Sequence, residues 1–156
     1  MVIQNKLQSS RQGSRKGREL IVQISSGLFF LLFLYAAANK LMDFEKFKAQ
    51  LGQSPILTDY AGIIAWLIPA IEIGIAILLI FPKTILTGLY ASFSLMVMFS
   101  AYIYISLNFT ERIPCSCGRI LEKMDWTAHL IFNLFFVVLG LTAILVQTKL
   151  KNKAPQ

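Results

Sequence analysis

Residues 61–81 read AGIIAWLIPAIEIGIAILLIF, an unbroken apolar run with a single carboxylate, Glu72, near its centre. Roughly 17–25 mostly apolar residues are needed to cross a hydrocarbon core of ~30 Å, and this run meets that requirement. Residues 20–38, 84–107 and 126–146 meet it as well, and none of the four stretches holds a Lys or Arg. Besides Glu72, the one group in them that ionises in the usual range is His129.

The whole chain agrees with this reading. Hydrophobic residues make up 56% of its 156 positions and charged residues only 15%, against about a quarter in a soluble domain. A chain this short has too little interior to hide so much apolar surface, so the excess faces lipid. The expected fold class is an all-α membrane protein, a four-transmembrane-helix bundle spanning residues 20–147. A disordered basic tail is expected over residues 1–19 and a second polar tail over 148–156. The first span follows a basic run and ends in Ala36-Ala37-Ala38, as a cleaved leader does. Its apolar core exceeds the ~7–15 residues usual there, so it is read as retained.

Orientation follows from the cations. Nine fall on one side: Lys6, Arg11, Arg15, Lys16, Arg18, Lys83, Lys149, Lys151 and Lys153. Six lie in the two long connections (Lys40, Lys46, Lys48, Arg112, Arg119 and Lys123), offset there by acidic residues. Both termini are therefore expected in the cytoplasm of a bacterium, and both long loops on the periplasmic face of the inner membrane. The net charge of +7 is concentrated beside the spans, where it sets topology and meets anionic headgroups. The run Arg11 to Arg18 has no interleaved aromatics, so nucleic acid is not expected as a partner; the lipid bilayer is.

After the first span, Leu41, Phe44, Phe47 and Leu51 recur near helical spacing among charged residues, predicting a short amphipathic interfacial helix that stops at Gly52. In the second span Gly62, Ala65, Pro69, Glu72 and Ala76 share a face that is expected to point into the bundle. Gly88 and Ser92 form a small contact face in the third span, and Tyr90, Tyr102 and Tyr104 read as interface anchors or packing residues. Asp125, His129 and Asn133 form a polar stripe running inward from the outer end of the fourth span. Asn39 and Lys40 are expected to anchor the first span at the interface, the lysine by snorkelling.

Three features could carry chemistry. Both cysteines lie in Ile113-Pro114-Cys115-Ser116-Cys117-Gly118, just before the fourth span. Facing an oxidising compartment, such a pair tends toward a disulfide that closes almost no chain entropy and is strained, which favours exchange over stapling. Glu72 is the second: a carboxylate at mid-bilayer is costly, which makes it either functional or protonated and hydrogen-bonded to a neighbouring span. The third is His129, a candidate for proton exchange near the thiols and equally for helix packing. Two thiolates with His129 would also suit zinc or Cu(I), although one histidine and two cysteines leave zinc without a strong fourth ligand unless Asp125 or Glu122 serves. No metal ligand is assigned on this ground, and a copper or zinc handler stays open as an alternative function. So does a non-enzymatic assembly scaffold.

The run Phe33-Leu34-Tyr35-Ala36-Ala37-Ala38-Asn39-Lys40-Leu41, then Phe44, Phe47 and Pro69-Ala70-Ile71-Glu72, resembles the first half of the DoxX-like superfamily. The cysteine pair before the fourth helix resembles its methylamine-utilisation branch, MauE, although Gly118 follows Cys117 directly where that branch has an intervening residue. The resemblance implies a redox-associated membrane protein that helps mature or transport a periplasmic partner. It matches Cys115 and Cys117 to a redox pair and Glu72 to a membrane glutamate. A periplasmic thioredoxin-like protein or disulfide-containing client is the partner expected, and a quinone is a candidate far electron acceptor.

Overall fold

The computed structural model describes residues 2–52, 58–109 and 126–151. Among these, five α-helices follow one another: α1 (Val2–Met42), α2 (Phe44–Gly52), α3 (Ala61–Ile80), α4 (Ile85–Phe109) and α5 (Trp126–Lys151), with a 3-10 turn at Thr58–Tyr60. Four segments are long and apolar enough to cross a membrane: Arg15–Met42, Thr58–Ile80, Ile85–Ile105 and Thr127–Lys151. At 1.5 Å per residue the shortest, 21 residues, rises about 31 Å, the thickness of the hydrocarbon core.

α1 begins well before the apolar run. Residues 2–19, expected as part of a disordered tail, continue the helix, because an apolar helix already nucleated downstream extends by one hydrogen bond per residue fixed. Arg15 and Glu19 add an i,i+4 pair at 3.1 Å, worth little because both side chains are exposed. Likewise α5 carries on past residue 146 to Lys151, where two lysines meet its carbonyl end.

The four long helices form a ring in which α1 neighbours α3 and α5, α4 neighbours the same two, and α1 and α4 barely touch across the diagonal. Val22, Leu79, Ile85 and Gln147 meet around one cavity at one end of the bundle. Lys40, Met96 and His129 meet around another at the opposite end. Chain direction therefore alternates from helix to helix, as the tight turn between α3 and α4 requires.

The main core is built from Phe29 and Phe33 of α1, Ile75, Ala76 and Leu79 of α3, Leu89 and Met96 of α4, and Phe136 and Ala143 of α5. Phe29 stacks on Phe33 and meets Phe136 edge-on at 5.4 Å between centroids. α3 and α4 approach closely at Gly88, where a Cβ would lie 3.0 Å from Leu79 Cδ2 and 3.2 Å from the Leu78 carbonyl carbon. That is the small-residue contact expected of Gly88 and Ser92, and both are buried. Ser92 donates to the Gly88 carbonyl and Ser100 to that of Met96, so these hydroxyls are satisfied within their own helix.

The short helix between the first two spans is α2. Its Phe47 and Leu51 are buried with Ala61 and Ala65 of α3, forming a second, smaller core. Phe44 packs against Trp66 at 4.7 Å between ring centroids. The amphipathic spacing thus docks α2 on the first turns of α3. On α3 itself Ala65, Pro69, Glu72 and Ala76 are buried as expected, whereas Gly62 is exposed, with only the Lys48 side chain of α2 within 4.0 Å of where its Cβ would lie.

Candidate functional site

Phe29, Phe33, Ala37 and Lys40 follow one another by four, four and three residues, and all are buried. They form the face that α1 turns into the bundle. Lys40 therefore does not snorkel. Its stem starts from the wrong side of the helix to reach water, and a counter-charge is closer: Lys40 Nζ donates to Glu72 Oε1 at 2.6 Å. Lys40 is 7% exposed and Glu72 0%.

Two aromatic faces complete the ammonium's surroundings, Phe47 of α2 at 5.8 Å and Phe99 of α4 at 5.9 Å from their ring centroids. Cations within about 6 Å of a ring face are attracted by its quadrupole, more so where water is excluded. The pair consequently joins three elements of the bundle to α2. Asn39, next to Lys40, turns the other way and donates to its own helix at the Tyr35 carbonyl, 2.8 Å away.

Glu72 is left half satisfied, for its Oε2 is buried with no hydrogen-bond partner. Pro69 lies one turn earlier on the same buried face and has no amide proton for the Ala65 carbonyl. Across from them, α5 contributes His129, 6% exposed, and Asn133, 4% exposed. Neither of these side chains has a hydrogen-bond partner among the described residues. Lys40, Glu72, His129 and Asn133 all line one cavity of about 40 Å³, walled by Phe33, Met96, Phe99 and Phe132 among others.

Three of the residues singled out from the sequence, Glu72, His129 and Asn133, are thus brought to one cavity. Lys40, missed as part of the site, is Glu72's partner. The signal was present: Lys40 continues the four-and-three spacing of Phe29, Phe33 and Ala37. Cys115 and Cys117, together with Asp125 and Glu122, lie outside the described residues. The segment that carries them leaves α4 at Phe109 and returns at Trp126, one turn before His129. Among the described residues no group of three metal-ligating side chains comes together.

The buried carboxylate of α3, the polar stripe of α5 and four apolar spans are found together with a match over most of the chain: the sequence model described as methylamine utilisation protein MauE fits residues 18–146. The chain belongs to the MauE family. It is accordingly a multi-pass membrane protein, and the matched range takes in every residue around the polar cavity. No curated protein and no solved structure matches it significantly.

A second cavity of this MauE-family chain, about 520 Å³, lies at the other end of the bundle between Val22, Gln23, Phe30, Leu79, Ile85 and Gln147. It falls within the ~300–1,000 Å³ typical of small-molecule pockets, and the polar cavity falls far below it.

Proposed function

We propose that this MauE-family protein is a periplasm-facing thiol-disulfide factor that serves the maturation of a periplasmic partner. Cys115 and Cys117 form the reactive pair. Both termini are cytoplasmic in this reading, in keeping with the nine cations flanking that side.

The chemistry balances without a further co-reactant. One thiolate of the pair attacks a disulfide of a thioredoxin-like protein or client, a mixed disulfide forms, and the second cysteine displaces it. Cys115 and Cys117 end as a disulfide and the partner as a dithiol, or the same steps run in reverse. Proton traffic accompanies this exchange, and Glu72 and His129 are the groups proposed to handle it.

One observation carries the reading: the buried cluster of Lys40, Glu72, His129 and Asn133 lies at the bundle end where the cysteine-bearing connection departs from α4 and enters α5. A membrane span that only anchors has no need of buried ionisable groups at that place, since they are costly in hydrocarbon.

Alkylation of intact cells with a membrane-impermeant maleimide, before and after reduction, tests it by mass shift. The expected result is blocked thiols that become reactive after reduction. Thiols that are constantly free, or unreachable from outside, would contradict the proposal. A Cys115→Ser, Cys117→Ser double variant with full function would favour the scaffold reading instead.

A further inference from the structure

The polar cavity combines three features that rarely coincide in a bundle core. Glu72 Oε2 is fully buried and unpartnered. His129 and Asn133 are 6% and 4% exposed as residues, and their side chains have no hydrogen-bond partner among the described residues, although only Glu72 Oε2 is fully sealed. All three residues line the same space of about 40 Å³. Buried polar atoms in native proteins are almost always hydrogen-bonded, to protein or to ordered water. Leaving one unsatisfied costs about 1–3 kcal/mol.

The wall chemistry specifies the ligand. Glu72 Oε2 accepts only, and Asn133 and His129 each offer a donor and an acceptor. The molecule that satisfies all three must donate at least one hydrogen bond and accept at least one. About 10–15 Å³ of such space takes one water, so there is room for two or three. Phe33, Met96, Phe99 and Phe132 wall part of the space, so the polar groups of the cluster face one another across an otherwise apolar lining.

We propose that this cavity is an internal water site, in which two or three waters link Glu72 Oε2 to His129 and Asn133. The carboxylate inside the bundle is thereby connected by hydrogen bonds to the first turn of α5, at the outer end. This rests on the geometry of the cluster and not on the cysteines, so it stands or falls separately from the thiol chemistry.

Radiolytic footprinting of the full-length protein in lipid nanodiscs tests it. Hydroxyl radicals generated from a bound water oxidise the side chains beside it, and mass spectrometry locates the product. Met96 and Met98 form a built-in comparison: they lie two residues apart on α4, Met96 buried and lining the cavity, Met98 52% exposed on the lipid-facing surface. With water in the cavity, Met96 is oxidised several-fold faster than Met98, and Asn133→Leu, which keeps the side-chain shape but removes one hydrogen-bonding partner of the water, lowers that excess. A Met96 rate equal to or below that of Met98 in the unmodified protein would overturn the proposal, whether or not the variant folds. A Met96 excess that is undiminished in folded Asn133→Leu would overturn it too. Either result leaves the maleimide experiment on the cysteines unaffected.

Discussion

Lys40 and Glu72, 32 positions apart in the chain, share a buried, hydrogen-bonded ion pair of 2.6 Å inside an apolar helix bundle, toward the end where α1 finishes. Each charge would be prohibitive there alone. Together they bridge α1 and α3, and the cation is further held between Phe47 and Phe99.

Removal of one partner should therefore be far worse than removal of both. Lys40→Met or Glu72→Leu strands an unpaired buried charge and is expected to cost about 3–5 kcal/mol. The double variant should recover most of that loss, because an apolar pair of similar volume is often neutral. Thermal unfolding in detergent micelles, compared across the four proteins, measures the coupling.

Helix α2 is expected to act as the lid of this pair. Phe47→Ala removes a ring that both seals the second core and faces Lys40, with an expected cost of about 3–5 kcal/mol. Hydrogen exchange should rise over residues 44–52 and remain unchanged over α5, which makes no contact of consequence with α2. Equal loosening of both would contradict the assigned packing.

Two helical glycines should respond oppositely to alanine. At Gly88 the new methyl meets Leu79 and the α3 backbone at 3.0–3.2 Å, so Gly88→Ala is expected to destabilise by about 1–3 kcal/mol. Gly27 has nothing within 4 Å of the same methyl, and Gly27→Ala should stabilise by roughly 0.5–1 kcal/mol through helix propensity. Midpoints of thermal unfolding suffice to rank them.

Orientation is checked at the turn between α3 and α4. In a protein with both native cysteines replaced by serine, a new thiol in Lys83→Cys should resist an impermeant maleimide in intact cells and react after lysis. One in Tyr60→Cys, exposed at the opposite end of α3, should react from outside. The reverse pattern would invert the topology and place the native cysteines in the cytoplasm.

Much of the architecture was legible without coordinates. The four spans, the amphipathic helix between the first two, the inward face of Ala65, Pro69, Glu72 and Ala76, and the Gly88–Ser92 contact all follow from spacing and composition. The polar stripe of α5 was equally visible, and His129 and Asn133 do turn inward. Lys40 was not read correctly, because a lysine near a span's end has an easy route to the interface in general. Its assignment depends on which way α1 is rotated. The helical course of residues 2–19 was missed for a related reason: polarity alone argues for disorder, but a helix nucleated in the neighbouring span propagates into residues that would not start one.

The sequence by itself determined that this chain enters a membrane, how many times it crosses and which charges flank each crossing. Those outcomes depend on local hydrophobicity, since every backbone amide in hydrocarbon must be bonded within its own helix. Only the tertiary structure decided that Lys40 answers Glu72, and that His129 and Asn133 share a cavity with them. Such pairings join distant parts of the chain, and they depend on the rotation and neighbour order of helices packed through small residues such as Gly88 and Ala65.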